Sequence, residues 1–146
     1  YNVPMIINDN VELAKDIDAD GVHVGGDDMS VANARKILGN NKIIGATART
    51  YERAVTAVSQ GADYLGIGAM FDTSTKSGTT HMTKELSNKI TSYVVGIGGI
   101  NSENIMSLEG YGIDGVAVVS AIFKSEDIEK SAKIMKEKAS KIVRES

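Results

Sequence analysis

The chain has 146 residues, a formal charge of −3, 15 glycines, one proline and no cysteine. That length suits one domain with a real core, and the lack of cysteine excludes disulfides, thiolate nucleophiles and thiolate zinc sites. The mildly acidic balance argues against a nucleic-acid partner, and no apolar run nears the roughly 20 residues that span a bilayer, so no membrane partner is expected. The opening YNVPMIIND lacks the basic start and long apolar stretch of a secretory leader, which makes the cytoplasm the default compartment.

In chain order, residues 3–7 are the first short apolar run, followed by a helical spacing over 11–17 with Leu13, Ala14 and Ile17 on one face. A second run at 21–24 precedes a helix over 31–38, and a third at 42–46 precedes one over 50–59 that carries Ala54, Val55 and Val58. The run at 64–68 leads into a polar segment, 70–80, too long for a minimal connection. Runs at 93–96 and 115–119 follow, separated by a helical stretch over 101–108. A final helix over 125–143 is expected to bury Ile128, Ala132, Met135 and Ile142 and to solvate its lysines and glutamates. The runs are nearly continuous rather than alternating, as in parallel strands covered on both faces.

An internal repeat supports this reading. Ala19-Asp20-Gly21-Val22, Ala62-Asp63-Tyr64-Leu65 and Ile113-Asp114-Gly115-Val116 each set an Asp at a helix-to-strand turn, where it is expected to do turn chemistry. Parallel strands joined by helices make either a doubly wound sheet or a (βα) barrel, and a steady repeat without a reversal favours the barrel. The expected fold is therefore α/β, of the TIM (βα)8-barrel family, with about six βα units in a single partial barrel domain over residues 1–146. A complete barrel takes about 200 residues or more. An open sheet would leave edges that invite a homo-oligomer.

In such folds chemistry gathers after the strands. Asn8-Asp9 follows the first run and Asp27-Asp28 the second. Two carboxylates on neighbouring strand ends suit Mg²⁺, which prefers oxygen ligands and keeps water and phosphate in its shell; helix capping is the alternative use of each. The 70–80 segment is rich in hydroxyls and carries Lys76, a combination that holds phosphate. Gly96-Ile97-Gly98-Gly99-Ile100 and Ser120-Ala121 both precede helical stretches, where backbone N–H groups can meet an anion. His23, inside a run, reads as structural, and His81 reads as solvated. These features together describe a site for Mg²⁺ and small phosphorylated substrates.

PMIIND at 4–9, DGVHVG at 20–25 with Asp28 behind it, Thr73-x-Thr75-Lys76, VGIGGI at 95–100 and VVSAI at 118–122 together resemble the thiamine-phosphate synthase family along essentially the whole chain. The resemblance implies a Mg²⁺-dependent transferase of thiamine biosynthesis. That enzyme joins hydroxymethylpyrimidine diphosphate to thiazole phosphate and releases pyrophosphate. It implies Asp9 and Asp28 as metal ligands, with Asn8 and Lys76 on the pyrimidine diphosphate. Thr47 stands where the family usually has a contacting serine, so Lys76 and Thr47 are the candidate catalytic residues. Thr73, Ser74 and Thr75 match the thiazole-phosphate loop, and Gly99, Val119 and Ser120 match the rest of the phosphate cradle. Gly26 replaces a usual Gln, Arg49 a frequent His, and 69–72 a Pro-containing loop. Two strand–helix units that open the family pattern have no counterpart in this chain. The paired aspartates favour the synthase over the thiazole tautomerases of the same fold; a non-catalytic thiazole-phosphate binder is the further alternative.

Overall fold

The first strands form where short branched runs meet in parallel. In the computed structural model, which describes residues 2–71, 84 and 88–144, the chain divides into two compact units, Tyr1–Gly66 and Ile67–Ser146. In the first, β1 (Ile6–Asn8), β2 (Gly21–Val24), β3 (Ile43–Thr47) and β4 (Tyr64–Ile67) pair in sequence order, every pair parallel. Helices α1 (Val11–Asp16), α2 (Val31–Leu38) and α3 (Tyr51–Ser59) connect them. Register places Val22 beside Ile44 and Ala46 beside Leu65, so Val22, Val24, Ile44, Ala46 and Leu65 share one buried face. Each large side chain hidden there stabilises by about 1.5–3 kcal/mol. The opposite face carries His23, Thr47 and Tyr64.

The repeated aspartates organise the entrance to the strands. Asp20 Oδ2 accepts Met5 N–H at 2.7 Å and Asp63 Oδ2 accepts Ile44 N–H at 2.7 Å. Each thus satisfies a backbone donor of the preceding sequence strand or its approach. Arg35 then braces the second turn: it donates to Gly39 O, Lys42 O, Gly61 O and Asp63 Oδ2, all at 2.6–2.9 Å.

In the second unit β5 (Tyr93–Ile97) and β6 (Gly115–Ala117) pair in parallel, with Val95 beside Gly115. Val94, Ile105, Leu108 and Ile113 are its buried core. Asp114 Oδ2 accepts Val94 N–H at 2.7 Å, and Arg144 grips both Asp114 oxygens while donating to Ile90 O and Ser92 O. The third repeat therefore uses its Asp as the first two do. Helices α4 (Ser120–Phe123) and α5 (Ile128–Ala139) also belong to the unit.

Several expected elements are shorter or face differently. β1 begins at Ile6, where the register with β2 starts, and Val3 and Met5 are exposed. The stretch over 101–108 is helical only as a 3₁₀ turn, Ile105–Leu108. There Asn101 Oδ1 accepts Glu103 and Asn104 N–H, and Asn104 Oδ1 accepts Asn101 N–H, so side chains take the donors that an α-helix would use. The last helix starts at Ile128, where the Asp127 side chain caps Lys130 N–H at 2.9 Å. Met135 and Ile142 are buried as expected, whereas Ile128 is exposed. In α1 the buried residues are Val11 and Ala14, with Leu13 and Ile17 exposed; in α3 they are Ala54 and Ala57, with Val55 and Val58 exposed. These helices turn their small residues inward and leave larger ones in solvent.

Candidate functional site

Asp9 follows β1 with a positive φ of 64°, its N–H bonded to His23 O at 2.8 Å. Asn8 Nδ2 donates to Asp9 Oδ2 at 2.7 Å, which orients the carboxylate. Asp28 Oδ2 accepts Gly25 N–H at 2.6 Å, folding the turn after β2 back on itself. Both carboxylates face the same space: a Cβ placed on Gly25 would lie 2.6 Å from Asp28 Oδ2 and 4.0 Å from Asp9 Oδ1. Only glycine keeps that space clear. Neither aspartate caps a helix, since Asn10 accepts Leu13 N–H ahead of α1 and Ser30 accepts Asn33 N–H ahead of α2. The capping alternative is thereby removed for both.

Among the described residues no group of three or more His, Asp or Glu gathers to hold a metal alone. A pair of carboxylates nevertheless fits Mg²⁺, which binds through one or two of them and retains water and substrate phosphate. The donor chemistry at Asp9 and Asp28 and the cleared space beside Gly25 are compatible with that ion.

Thr47 closes β3 one position from Ala46 and is half-buried. Its Oγ1 lies 3.0 Å from His23 Nε2, and His23 Nδ1 lies 3.0 Å from Tyr64 Oη. Register explains the layer: His23 aligns with Gly45, and Gly45 with Tyr64. A side chain on Gly45 would collide with the Tyr64 phenol, and one on Gly66 would come within 2.8 Å of His23 Cε1. Burial pushes the His23 pKa down, partly opposed by the negative charge of Asp28, and burial pushes the Tyr64 phenol up. Both are neutral near pH 7, so one ring nitrogen donates and the other accepts.

His23 is thus tied to the candidate residue Thr47 and to Tyr64, links that their places inside strands do not disclose. The signal available in the sequence was the pair of glycines inside strands, which mark a close approach. Arg53 has no sequence signal of this kind. It lies on α3 yet lines one cavity of about 300 Å³ with Gly25, Gly26, Asp28 and Thr47.

In the second unit Gly98 and Gly99 follow β5 with φ of 97° and 68°. Gly98 O accepts Phe71 N–H at 3.1 Å, and Gly99 O accepts Asn104 Nδ2 at 2.8 Å. Val119 and Ser120 follow β6 and are exposed; Ser120 opens the four-residue α4. Thr73, Ser74, Thr75, Lys76 and His81 lie outside the described residues. The structure therefore gathers Asn8, Asp9, Asp28 and Thr47 in the first unit and holds Gly99, Val119 and Ser120 after the strands of the second. Among the described residues no helix is long and apolar enough to cross a membrane.

Comparison with known proteins identifies the family. The family profile described as thiamine monophosphate synthase matches residues 1–122. The thiamine-phosphate synthase of Ruminiclostridium cellulolyticum is 51% identical over 136 residues, covering 90% of this chain and 65% of that protein. Its counterpart from Clostridium botulinum is 45% identical over 146 residues, covering 97% of this chain and 68% of that one. Among solved structures, the thiamine phosphate pyrophosphorylase of Pyrococcus furiosus superposes with a TM-score of 0.86 at 36% identity, over 97% of this chain and 70% of that chain. The chain spans about two thirds of the length of the relatives it matches.

Proposed function

Because the chain belongs to the thiamine monophosphate synthase family, with an α/β fold of the TIM-barrel type, we infer that it catalyses formation of thiamine phosphate from hydroxymethylpyrimidine diphosphate and thiazole phosphate. In that reaction the thiazole nitrogen forms a bond to the pyrimidine methylene carbon as the C–O bond to pyrophosphate breaks. The attacking nitrogen carries no proton, so no general base is needed, and the aminopyrimidine spreads the developing positive charge. The reading takes residues 1–146 as one partial barrel domain working in the cytoplasm on small phosphorylated substrates, with self-association as a further expectation.

The observation that carries it is the convergence of Asp9 and Asp28 on the space cleared by Gly25, neither used as a cap. These two residues would hold Mg²⁺, which when bound neutralises diphosphate charge. Asn8 keeps Asp9 turned towards that space through its 2.7 Å bond. Thr47 would contact the pyrimidine substrate. With the His23 proton on Nε2, that N–H donates to Thr47 Oγ1 and leaves the threonine proton for a substrate acceptor. Lys76 is assigned to the diphosphate, Thr73, Ser74 and Thr75 to the thiazole phosphate, and Gly99, Val119 and Ser120 to the same phosphate, by correspondence with the family pattern. Positioning and leaving-group stabilisation then do the catalysis.

The test is direct. The chain is incubated with both substrates and Mg²⁺, and thiamine phosphate is measured. Product that depends on the metal and on both substrates supports the reading. A folded chain that binds thiazole phosphate by calorimetry yet forms no product is a binder and not a synthase.

A further inference from the structure

Arg53 has no place in the function proposed above, yet its guanidinium rests directly over Gly26. A Cβ on that glycine would collide with Arg53 Nη1 and reach within 3.5 Å of Cζ. The long side chain thus runs from the first turn of α3 to the turn after β2, and only the missing side chain at 26 leaves it room. At its root the Arg53 N–H donates to Thr50 Oγ1 at 3.3 Å, within the helix cap. At its tip the same cavity holds Gly25, Gly26, Asp28 and Thr47, against the apolar walls of Val24 and Ala46.

Charge makes this placement informative. Asp9, Asp27 and Asp28 all follow β1 and β2, so an anionic ligand there meets repulsion unless cations oppose it. Among the described residues no carboxylate forms an ion pair with Arg53. Its planar fork of five donors matches phosphate oxygens better than an ammonium does.

We propose that Arg53 is an anion-binding residue of this site, its guanidinium taking phosphate oxygens of a diphosphate ligand at the mouth of the cavity beside Gly26. The assignment rests on the reading of Asp9 and Asp28 as part of a diphosphate-handling site. It adds a cation from a helix, with Gly26 as the residue that admits it.

Inorganic pyrophosphate with excess Mg²⁺ is the probe, titrated calorimetrically into the parent chain and into variants whose melting curves confirm folding. Arg53→Ala is expected to weaken binding about 10- to 100-fold, the range of a charge-assisted hydrogen bond. Arg53→Lys should lose less, because it keeps the charge but not the fork. Gly26→Ala should weaken binding although it removes no charge, since the new methyl displaces the guanidinium. Lys36→Ala, an exposed change on α2, should leave affinity unaltered. Arg53→Ala within about twofold of the parent, or an equal loss in Lys36→Ala, overturns the assignment. If Asp28→Asn then still abolishes Mg²⁺-dependent binding, only the Arg53 assignment has failed. If the folded parent binds no pyrophosphate with Mg²⁺, both this assignment and the diphosphate reading fail.

Discussion

Asp20, Asp63 and Asp114 stand before strands, while Asp9 and Asp28 stand after them. The first three each accept a backbone N–H from another strand or its approach, and Asp63 and Asp114 also hold an arginine. Their donors are fixed parts of the fold. Asp28 accepts the N–H of Gly25, three residues away, and Asp9 is turned by its neighbour Asn8. Those two bonds join near neighbours in the chain and orient each carboxylate. The same residue type therefore serves cohesion at the amino ends and, in the function proposed above, a ligand at the carboxyl ends. This is the division of labour expected between the stable and the reactive faces of such folds.

The comparison is tested most sharply by exchanging charge at the carboxyl ends. The double change Asp9→Asn, Asp28→Asn should lower Mg²⁺-dependent turnover by about 100-fold or more while leaving the thermal midpoint nearly where it was. Retained turnover would remove the metal assignment, and loss of folding would erase the contrast between the two sets. At the amino ends the effects should reverse. Asp114→Ala strands the Val94 N–H and the Arg144 guanidinium, and should cost about 2–3 kcal/mol in urea unfolding. Asp63 is half-exposed, at 51% for its side chain, so Asp63→Ala should cost less, about 1–2 kcal/mol. An Asp114→Ala chain as stable as its parent would show that the brace is ornamental.

Smaller effects probe the layer between these ends. Gly45→Ala drives a methyl into the Tyr64 ring and should destabilise by about 1–3 kcal/mol, with the His23–Tyr64 contact disturbed. The smallest effect is that of pH. The His23 pKa lies below its ordinary 6.5 because of burial. The unfolded chain therefore takes up its proton first as pH falls, and stability present above about 6.5 declines below it until the folded-state pKa is passed. His23→Gln should flatten this part of the stability profile measured by urea titration at successive pH values. An unchanged slope would count against a buried, neutral His23.

Much of this organisation is written locally. β2 and α2 have the bounds that the apolar pattern predicts, Gly21–Val24 and Val31–Leu38, since α2 has a serine cap and a following glycine to mark its ends. Asp9 and Asp28 stand out in the sequence because each lies in the short segment between an apolar run and the next helical spacing. The inward faces of α1 and α3 were less so: Ala14, Ala54 and Ala57 are buried while Leu13, Val55 and Val58 are exposed. A pattern weighted by side-chain size selects the larger residues, whereas close packing selected the small ones. The segment 101–104 has helical spacing but forms a turn, because Asn101 and Asn104 bond to nearby backbone, which competes with propensity. His23 meets Tyr64, and Arg53 reaches Gly26, only through the fold, so their identities alone could not reveal these contacts.

The caps at Asn10 and Ser30 have a consequence for engineering. Each helix is secured by the residue one or two places beyond the acidic one, so its start does not depend on Asp9 or Asp28. Those acidic positions can be edited as a separate module. Swapping their oxygens for nitrogen donors to alter ion preference should leave α1 and α2 anchored, which makes this pair a convenient place to retune chemistry without rebuilding the scaffold.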